Sequence, residues 1–380
     1  MLNNDWDYRF KVTSDNTKVA DSIKGLAIDL SNAPVEFWSN VKSDGSDIRV
    51  TSGETTEVAR DVISIDTSGQ TGLLRVDTSG ISTSADSDYY VYYGNASADE
   101  PEAGSTYGQY NAYYSQTEAL YEVENNANDQ SKNNNTGSLI DSPSFSTDSP
   151  YGKHSLNLDD STQSLEIPHI TGLRIDSSEP FSYGVWFKGS ESGNALSSIS
   201  YNNNPHRGVD IWNNGSGELA THIIHSWSDD AIKVITDSSG DGFTNFNNGA
   251  WHLIGITYDG SKSWTGVTIT VSGGVQPTYQ TNDNLSSNQL WDSEAPSRIG
   301  GRSDDSGNGS HFQSGLFKGF RVYKNLNISS NQWTTMYHNE LDNDSFWTFG
   351  AQEEVGSAGS TVTTINGVIQ TSNEGVIQTK

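Results

Sequence analysis

The sequence predicts an all-β protein, with a small N-terminal β-sandwich followed by a jelly roll. Hydrophobic residues make up 32% of the chain, so its cores must be built from few, large side chains such as its 10 Trp, 17 Tyr and 12 Phe. The 37 Gly and the many Ser, Thr and Asn favour strands joined by turns over helices. At 380 residues the chain exceeds one ordinary domain of about 100 to 200 residues, so we expect two.

The N-terminal part reads as a series of short strands. Each candidate alternates apolar and polar residues and is bounded by Gly, Asp, Asn or Ser, which is the pattern of a half-buried strand between turns. This spacing is typical of a small β-sandwich. The candidates are residues 8–12, 25–30, 47–50, 62–65, 73–76 and 89–93.

Strands recur from residue 151 to about residue 350, and their number and span fit one jelly roll. Residues 329–340 differ from these strands, and their sequence predicts one short helix. The strand candidates are residues 164–167, 181–187, 208–212, 219–224, 251–258 and 267–271.

The domain boundaries follow from changes in composition. We predict an N-terminal domain over 1–104, a jelly roll with its opening segment over 105–353, and a C-terminal tail over 354–380. The tail repeats the sequence GVIQT, at 367–371 and 375–379. It is either flexible or a strand-forming peptide that pairs with another subunit.

Charge and composition exclude several classes of partner. A formal net charge of −27 repels phosphate backbones and anionic lipids, so we expect no nucleic-acid binding. The absence of cysteine rules out disulfides and thiolate metal sites. No apolar stretch approaches a membrane span, and residues 1–6 lack the features of a signal peptide, so we expect a soluble product made in the cytoplasm without membrane insertion.

The N-terminal part resembles a domain of unknown function that often precedes lectin-like jelly rolls in secreted, archaeal and viral proteins. The segments that carry this resemblance are WDYRF at 6–10, FW at 37–38, SDGSDIRVT at 43–51 and YYVYYGN at 89–95.

The rest of the chain resembles a LamG-like, concanavalin A-like jelly roll, a fold that binds glycans, binds proteins or spaces other domains. Family members often carry an acidic residue before the late strand at 319–323, and this chain lacks it. The resembling segments are ALYEVENNANDQS at 119–131, NNNTG at 133–137, GKHSLNLD at 152–159, FSYGVWF at 181–187, WHLIGITYDG at 251–260 and FKGFRVY at 317–323.

One group of residues indicates a carbohydrate site. Sugars stack their apolar faces on aromatic rings while polar side chains bind their hydroxyls. The alternative is that the two tryptophans simply pack inside the sandwich. The candidate ligand-binding residues are Tyr201, His206, Arg207, Trp212 and Trp227.

Calcium is the cofactor that the loops favour, because Asp in turns offers the hard oxygen ligands that calcium prefers. Residues 237–242 space oxygens like the start of an EF-hand loop, but the twelfth position is Asn248 and no flanking helices are predicted. Solvated turns are the alternative. The candidate ligands are Asp159, Asp160, Asp237, Asp241, Asp304 and Asp305.

No catalytic residues are predicted. The segment ELDND at 340–344 resembles the acidic motif of jelly-roll glycosidases but lacks its final Glu. His222 and His225 lie three residues apart, which in a strand directs them to opposite faces and argues against a zinc site.

Together these features lead us to expect a non-enzymatic virion protein. Jelly rolls of this kind are usually displayed outside cells, and a virus particle exposes proteins that carry no export signal. We expect a tail fibre, spike, turret or capsid decoration of a tailed virus, made in the host cytoplasm and placed on the exterior of the virion. Its expected partners are other virion proteins, a host-surface glycan or protein, and further copies of itself in a trimer or pentamer. A cellular secreted or surface adhesin and a polysaccharide-degrading enzyme are the alternatives.

Overall fold

The computed structural model describes residues 5–159, 162–190, 193–202, 206–291, 295–303, 308–355, 363–365 and 368–370. Antiparallel strands dominate these residues, and the α-helices among them are short. The prediction of an all-β chain, with a small sandwich followed by a jelly roll, is confirmed. None of the helices in these ranges has the length and apolar character needed to cross a bilayer.

The N-terminal part contains the first seven strands and one helical turn. Every strand that the sequence predicted in this part is present, and β4 is additional. The elements are β1 (Tyr8–Ser14), β2 (Leu26–Asp29), α1 (Phe37–Asn40), β3 (Arg49–Ser52), β4 (Thr56–Val58), β5 (Arg60–Asp66), β6 (Thr71–Val76) and β7 (Asp88–Tyr93).

The jelly roll contains all six predicted strands and others whose sequences lack clear alternation. Its strands are β8 (Thr117–Tyr121), β9 (Ser138–Ile140), β10 (Ser144–Ser146), β11 (Ser155–Leu158), β12 (Ser164–Ile167), β13 (Phe181–Lys188), β14 (Ala195–Asn202), β15 (Arg207–Gly215), β16 (Glu218–Ser226), β17 (Asp230–Thr236), β18 (His252–Tyr258), β19 (Val267–Val271), β20 (Gly274–Val275), β21 (Thr278–Asp283), β22 (Ser297–Ile299), β23 (Arg302–Ser303), β24 (Gly309–Ser310) and β25 (Gly315–Lys324).

The chain ends with two helices and three further strands. The predicted helix is present as α2, which begins with a capping box in which Ser329 and Gln332 exchange hydrogen bonds. Of the GVIQT repeat, residues 368–370 form a strand, and the second copy lies outside the described residues. These elements are α2 (Ser330–Leu341), α3 (Asn343–Phe346), β26 (Trp347–Glu354), β27 (Thr363–Ile365) and β28 (Val368–Gln370), and short 3-10 turns lie at Asn16–Lys18, Leu30–Asn32, Gln109–Ala112, Thr171–Leu173 and Trp264–Gly266.

Two eight-stranded sheets form the jelly roll. We call the first, in the order β10-β11-β25-β13-β18-β19-β20 with β8 paired to β25, the inner sheet. We call the second, in the order β21-β17-β16-β15-β14-β22-β12-β9, the outer sheet. Alternate residues of both sheets meet in one core, as Val185 and Ile254 of the inner sheet and Val209 and Ile223 of the outer sheet illustrate.

The inner sheet is apolar on both faces. Trp186, Leu253 and Tyr323 point away from the jelly-roll core and join the core of the N-terminal domain instead. Helix α2 contributes Trp333 to the same core, where its ring lies against Gly184 and Gly255 on neighbouring strands. A Cβ atom at Gly255 would approach that ring to 2.5 Å, so the position requires glycine.

The end of the chain returns to the N-terminal domain. Strand β26 pairs with β1 and completes a five-stranded sheet in the order β26-β1-β7-β3-β4, which shares a core with a three-stranded sheet in the order β2-β6-β5. The indole of Trp347 donates to the carbonyl of Ala27 at 2.7 Å. Residues 347–353, which the sequence assigned to the jelly roll, and residue 354, which it assigned to the tail, therefore supply a strand to the N-terminal sheet.

A buried ion cluster lies where the two domains meet. Glu340 of α2 is fully buried and contacts Arg75 Nη1 at 2.7 Å and Arg321 Nη1 at 2.8 Å, and it also accepts from the indole of Trp186 at 2.5 Å. Burial alone would raise the pKa of Glu340, but the two guanidinium groups outweigh it and lower the pKa to about 2. The first acid of the ELDND motif is therefore enclosed and paired with cations.

We predict that Glu340→Gln lowers the free energy of unfolding by about 3 to 5 kcal/mol at pH 7, because Arg321 then loses its buried counter-charge while Arg75 keeps only Glu122, at 2.8 Å. The pKa of Glu340 in the folded protein, about 2, lies below its ordinary value of 4.5. The extra stability of the wild type over the variant is therefore complete above pH 4.5 and declines as the pH falls toward 2. Urea unfolding at pH 7 and pH 3 measures both effects.

The matched control is Glu353→Gln, whose side chain is 47% exposed and pairs with Arg9 at 2.7 Å. An exposed pair contributes about 1 kcal/mol or less, so this variant should unfold nearly as the wild type does. Equal losses in the two variants would show that the buried cluster adds nothing beyond a surface ion pair.

Candidate ligand-binding cleft

The outer sheet carries a cleft on the face that points away from the jelly-roll core. In β15, Val209 and Ile211 enter the core, and the intervening residues point the other way. Strand register places Asp210, His222 and Lys233 side by side on β15, β16 and β17. The cleft encloses about 430 Å³ and is lined by His206, Trp212, Asn214, His222, Trp227, Arg302 and His311.

A buried ion pair supports the floor of the cleft. Asp210 is fully buried and accepts hydrogen bonds from Arg302 Nη2 and from Nδ1–H of His222, the latter at 2.8 Å. Burial alone would raise the pKa of Asp210, but Arg302 and His222 outweigh it and hold the pKa below its ordinary value. Because Nδ1 of His222 is engaged with Asp210, its Nε2 is the ring nitrogen left for a ligand.

Aromatic rings hold the Arg302 guanidinium in place. Its central carbon lies 4.5 Å from the ring centre of Tyr201 and 4.1 Å from that of Trp212. Stacking of this kind adds to the ion pair and fixes the plane of the guanidinium group. Arg302 is consequently a rigid part of the cleft.

Trp227 forms the other aromatic wall. Its ring lies 5.5 Å from the ring of His206 and 5.1 Å from that of His222. The ammonium of Lys233 sits 3.5 Å from the centre of the same indole. Trp212 and Trp227 are both only half-buried, so part of each ring faces solvent.

Backbone strain coincides with the cleft. His206 and His311 adopt positive φ angles of 60° and 50°, a region that side chains other than glycine disfavour. Strained residues of this kind concentrate at functional sites. Eleven other non-glycine residues of the described ranges also have positive φ angles, so this conformation by itself does not distinguish the cleft.

The structure brings most of the sequence-predicted ligand residues together. His206, Trp212 and Trp227 line the cleft, and Tyr201 lies beneath it as a fully buried support for Arg302. Arg207 does not line the cleft, because as an odd-numbered residue of β15 it points to the opposite face from Trp212. It donates instead to the carbonyl of His225 at 3.3 Å.

Sequence reasoning missed several cleft residues. From the sequence, His222 was weighed only as a zinc ligand. Its position between the inward-facing residues Thr221 and Ile223 of one strand would have placed it on the outer face of the sheet. Arg302 and His311 also line the cleft but lie about ninety residues further along the chain than Trp212 and His222. No local sequence pattern indicates that they belong to the same site. His225 binds the carbonyl of Gln289 at 2.8 Å, so the two histidines engage different partners, as the strand spacing indicated.

The predicted calcium ligands are dispersed. Asp237 accepts from the backbone and hydroxyl of Ser239 at 2.9 and 2.6 Å, and so caps its own turn. Asp160, Asp304 and Asp305 lie outside the described residues. Across the described ranges no three His, Asp or Glu side chains converge as metal ligands. Calcium binding at Asp159, Asp237 or Asp241 stays a prediction.

The other acids of the ELDND motif lie at the domain junction. Asp342 and Asp344 line a separate polar pocket of about 300 Å³ together with Asp29. Asp344 accepts from the amide of Asn32 at 2.6 Å, and Asp29 accepts from the backbone of Gly152 at 3.0 Å. These acids therefore tie the two domains together.

Comparison with known proteins gives partial structural alignments only. No family model matches the chain, and no curated protein matches it. The binding domain of Paraclostridial Mosquitocidal Protein 1 is 13% identical over 58% of this chain and 51% of its own, with a TM-score of 0.43. The binding domain of botulinum neurotoxin serotype G is 13% identical over 58% of this chain and 50% of its own, with a TM-score of 0.42. The CBM40 of Ruminococcus gnavus IT-sialidase is 11% identical over 50% of this chain and 99% of its own, with a TM-score of 0.38.

This chain thus spans about half the length of the toxin binding domains that it matches. Alignments at this level of similarity assign neither a ligand nor an activity to it. The resemblance of residues 1–104 to a domain of unknown function also stays a prediction, since no family model matches.

We predict that Asp210→Asn lowers the free energy of unfolding by about 3 kcal/mol at pH 7, because Arg302 then stays buried without a counter-charge. The pKa of Asp210 in the folded protein lies below its ordinary value of 3.8. The stabilisation by the charged carboxylate is therefore complete above pH 3.8 and is lost as the pH falls below that value. Thermal melts at pH 7 and below pH 3 measure the difference. Asp99→Asn, at an exposed loop position, is the control and should change stability by less than about 0.5 kcal/mol. An Asp210→Asn protein as stable as the control would contradict the proposed support of the cleft floor.

Proposed function

We propose that this chain is a non-enzymatic attachment protein that holds a saccharide in the outer-sheet cleft. The observation that carries the proposal is the pair of half-exposed indoles, Trp212 and Trp227, in one cleft of about 430 Å³. Small-ligand sites typically enclose about 300 to 1,000 Å³, with aromatic walls and a few fixed polar groups. The cleft fits that description.

The polar groups of the cleft suit sugar hydroxyls. Asn214 is exposed at the rim, and His206 and His222 stand beside the Trp227 ring. An indole packs against the C–H face of a sugar ring, while an amide and imidazole nitrogens supply donors and acceptors for its hydroxyls. The Asp210 and Arg302 pair keeps these groups in place, so little ordering is required when a ligand binds.

The positions of the carboxylates near the cleft favour binding of a saccharide over its hydrolysis. A glycosidase needs two carboxyl groups, about 5 to 10 Å apart, on either side of the scissile bond. Within the described residues no carboxylate lines the cleft. Asp210 lies beneath it in a buried ion pair, and Glu218, which contacts Asn214 at 3.3 Å, binds Ser238 at 2.6 Å.

The proposed setting is the exterior of a tailed virus, as a tail fibre, spike, turret or capsid decoration that attaches to a host-surface glycan or protein. The resemblance of residues 1–104 to a domain that often precedes lectin-like jelly rolls in secreted, archaeal and viral proteins is consistent with this setting. A single shallow cleft binds weakly, and repeated copies on a particle would compensate through avidity. A homo-oligomer, trimeric or pentameric, follows from this reasoning.

We predict that the wild-type protein binds a subset of a glycan array and that Trp212→Ala weakens that binding by at least about tenfold, which equals about 1.4 kcal/mol. Isothermal titration calorimetry with the strongest array ligand measures the loss. Tyr107→Ala removes a 41%-exposed aromatic ring that does not line the cleft and should bind as the wild type does. Absence of any glycan binding by the wild type, or equal binding by Trp212→Ala, would refute the saccharide site.

A second prediction concerns assembly. Native mass spectrometry and light scattering should report a trimer or pentamer, and antibodies against the chain should label intact virus particles by electron microscopy. Only monomer at high concentration would contradict the oligomer. Finding the chain in the envelope of a virus-free culture would favour a cellular adhesin instead.

A further inference from the structure

The outer-sheet cleft gathers cationic groups on a chain whose net charge is −27. We propose that the saccharide held there is acidic, and that its carboxylate or sulfate group pairs with Lys233 and Arg302. This inference rests on the proposed function, because it specifies the class of ligand for the same cleft.

Among the lysines of the described ranges, Lys233 differs in having no oxygen partner within those ranges. Every other lysine there donates to a carboxylate, a carbonyl or a hydroxyl. The ammonium of Lys233 instead rests on the Trp227 ring, 3.5 Å from its centre. Its side chain is half-buried beside the cleft, and no acceptor among the described residues engages its three N–H donors.

The position of Lys233 follows from strand register. Lys233 is paired with His222, and His222 with Asp210, so the three side chains form a row across the strands. Asp210 is already neutralised by Arg302. Among the described residues at this row, Arg302 and Lys233 stand against Asp210, so the second cation leaves these three groups with a net positive charge.

Arg302 has unused capacity as well. It is 5% exposed and lines the cleft, and one of its terminal nitrogens donates to Asp210. Its Nε has no hydrogen-bond partner within the described residues, although an unpaired buried donor is costly. Because Nε itself is enclosed, an anion in the cleft would pair with the charge of the guanidinium group, for which a carboxylate or a sulfate is a suitable partner.

The neighbouring groups do not cancel this positive charge. Burial lowers the pKa of His311, the largest effect on that group, so it is neutral at pH 7 and adds no charge of its own. Partial burial also lowers the pKa of Lys233, chiefly through desolvation, which an anionic ligand would offset. Because Lys233 and Arg302 are at least partly buried, a charge pair with either of them has more effect than a pair on a fully exposed surface.

The test compares matched ligands that differ only in charge. One arm uses a uronic-acid oligosaccharide and its carboxyl-reduced form, and the other uses a sulfated oligosaccharide and its desulfated form. We expect the wild type to bind one of the acidic forms at least about tenfold more tightly than its neutral counterpart, with the difference shrinking between 50 mM and 500 mM NaCl. The arm that shows the preference identifies the anionic group.

The variant is Lys233→Met, which keeps an unbranched side chain on Trp227 and removes the charge. It should weaken binding of the preferred acidic saccharide by about tenfold, and Lys233→Arg should restore most of the affinity. Lys153→Met is the control, because that lysine pairs with Asp66 in the N-terminal domain at 3.1 Å, in a contact with both side chains at least 40% exposed. Thermal melts verify that each variant is folded.

The outcomes separate the two proposals. Equal affinity for an acidic saccharide and its neutral form, or unchanged binding by Lys233→Met, would overturn the acidic-ligand inference and leave a neutral-sugar cleft. Failure of every saccharide, acidic or neutral, to bind the wild type would overturn the proposed function itself.

Discussion

The need to cover both faces of the inner sheet determines the rest of the architecture. A sheet with apolar side chains on both sides is stable only when both sides are packed. The outer sheet covers one face, and the N-terminal domain with α2 covers the other through residues such as Trp186 and Trp333. The outer sheet is then left with one face directed toward solvent, and the cleft lies on that face.

Charge is distributed in two different ways in this protein. At the domain junction, Glu340 is enclosed by Arg75 and Arg321, and the indole of Trp186 also binds it. Such a buried cluster contributes little net stability when intact but penalises any arrangement that leaves one charge alone. It therefore specifies how α2 sits between the domains. In the cleft, by contrast, the pair of Asp210 and Arg302 leaves Lys233 in excess.

The two clusters also differ in their access to ligands. The junction is closed by packed aromatic side chains, so its ions serve the fold. The cleft is bounded by half-exposed indoles and strained histidines, so its ions face the region that a ligand would enter. Glu340 of the acidic motif at 340–344 is thus enclosed at the junction, while Lys233 of β17 rests on the Trp227 ring beside the cleft.

The sequence alone determined the strands whose residues alternate clearly and helix α2, because alternation with period two and the capping box at Ser329 are properties of neighbouring residues. It also selected Trp212, Trp227 and His206 as candidates, since aromatic and polar residues clustered within one stretch of chain. Only the tertiary structure decided that Arg302 and His311 line the cleft with them, that Lys233 rests on Trp227 beside it, that Arg207 faces away, and that β26 returns to the N-terminal sheet. The physical reason is that these relations depend on the register between strands that are distant in the chain, and hydrogen bonding between strands is set by packing across the whole sandwich.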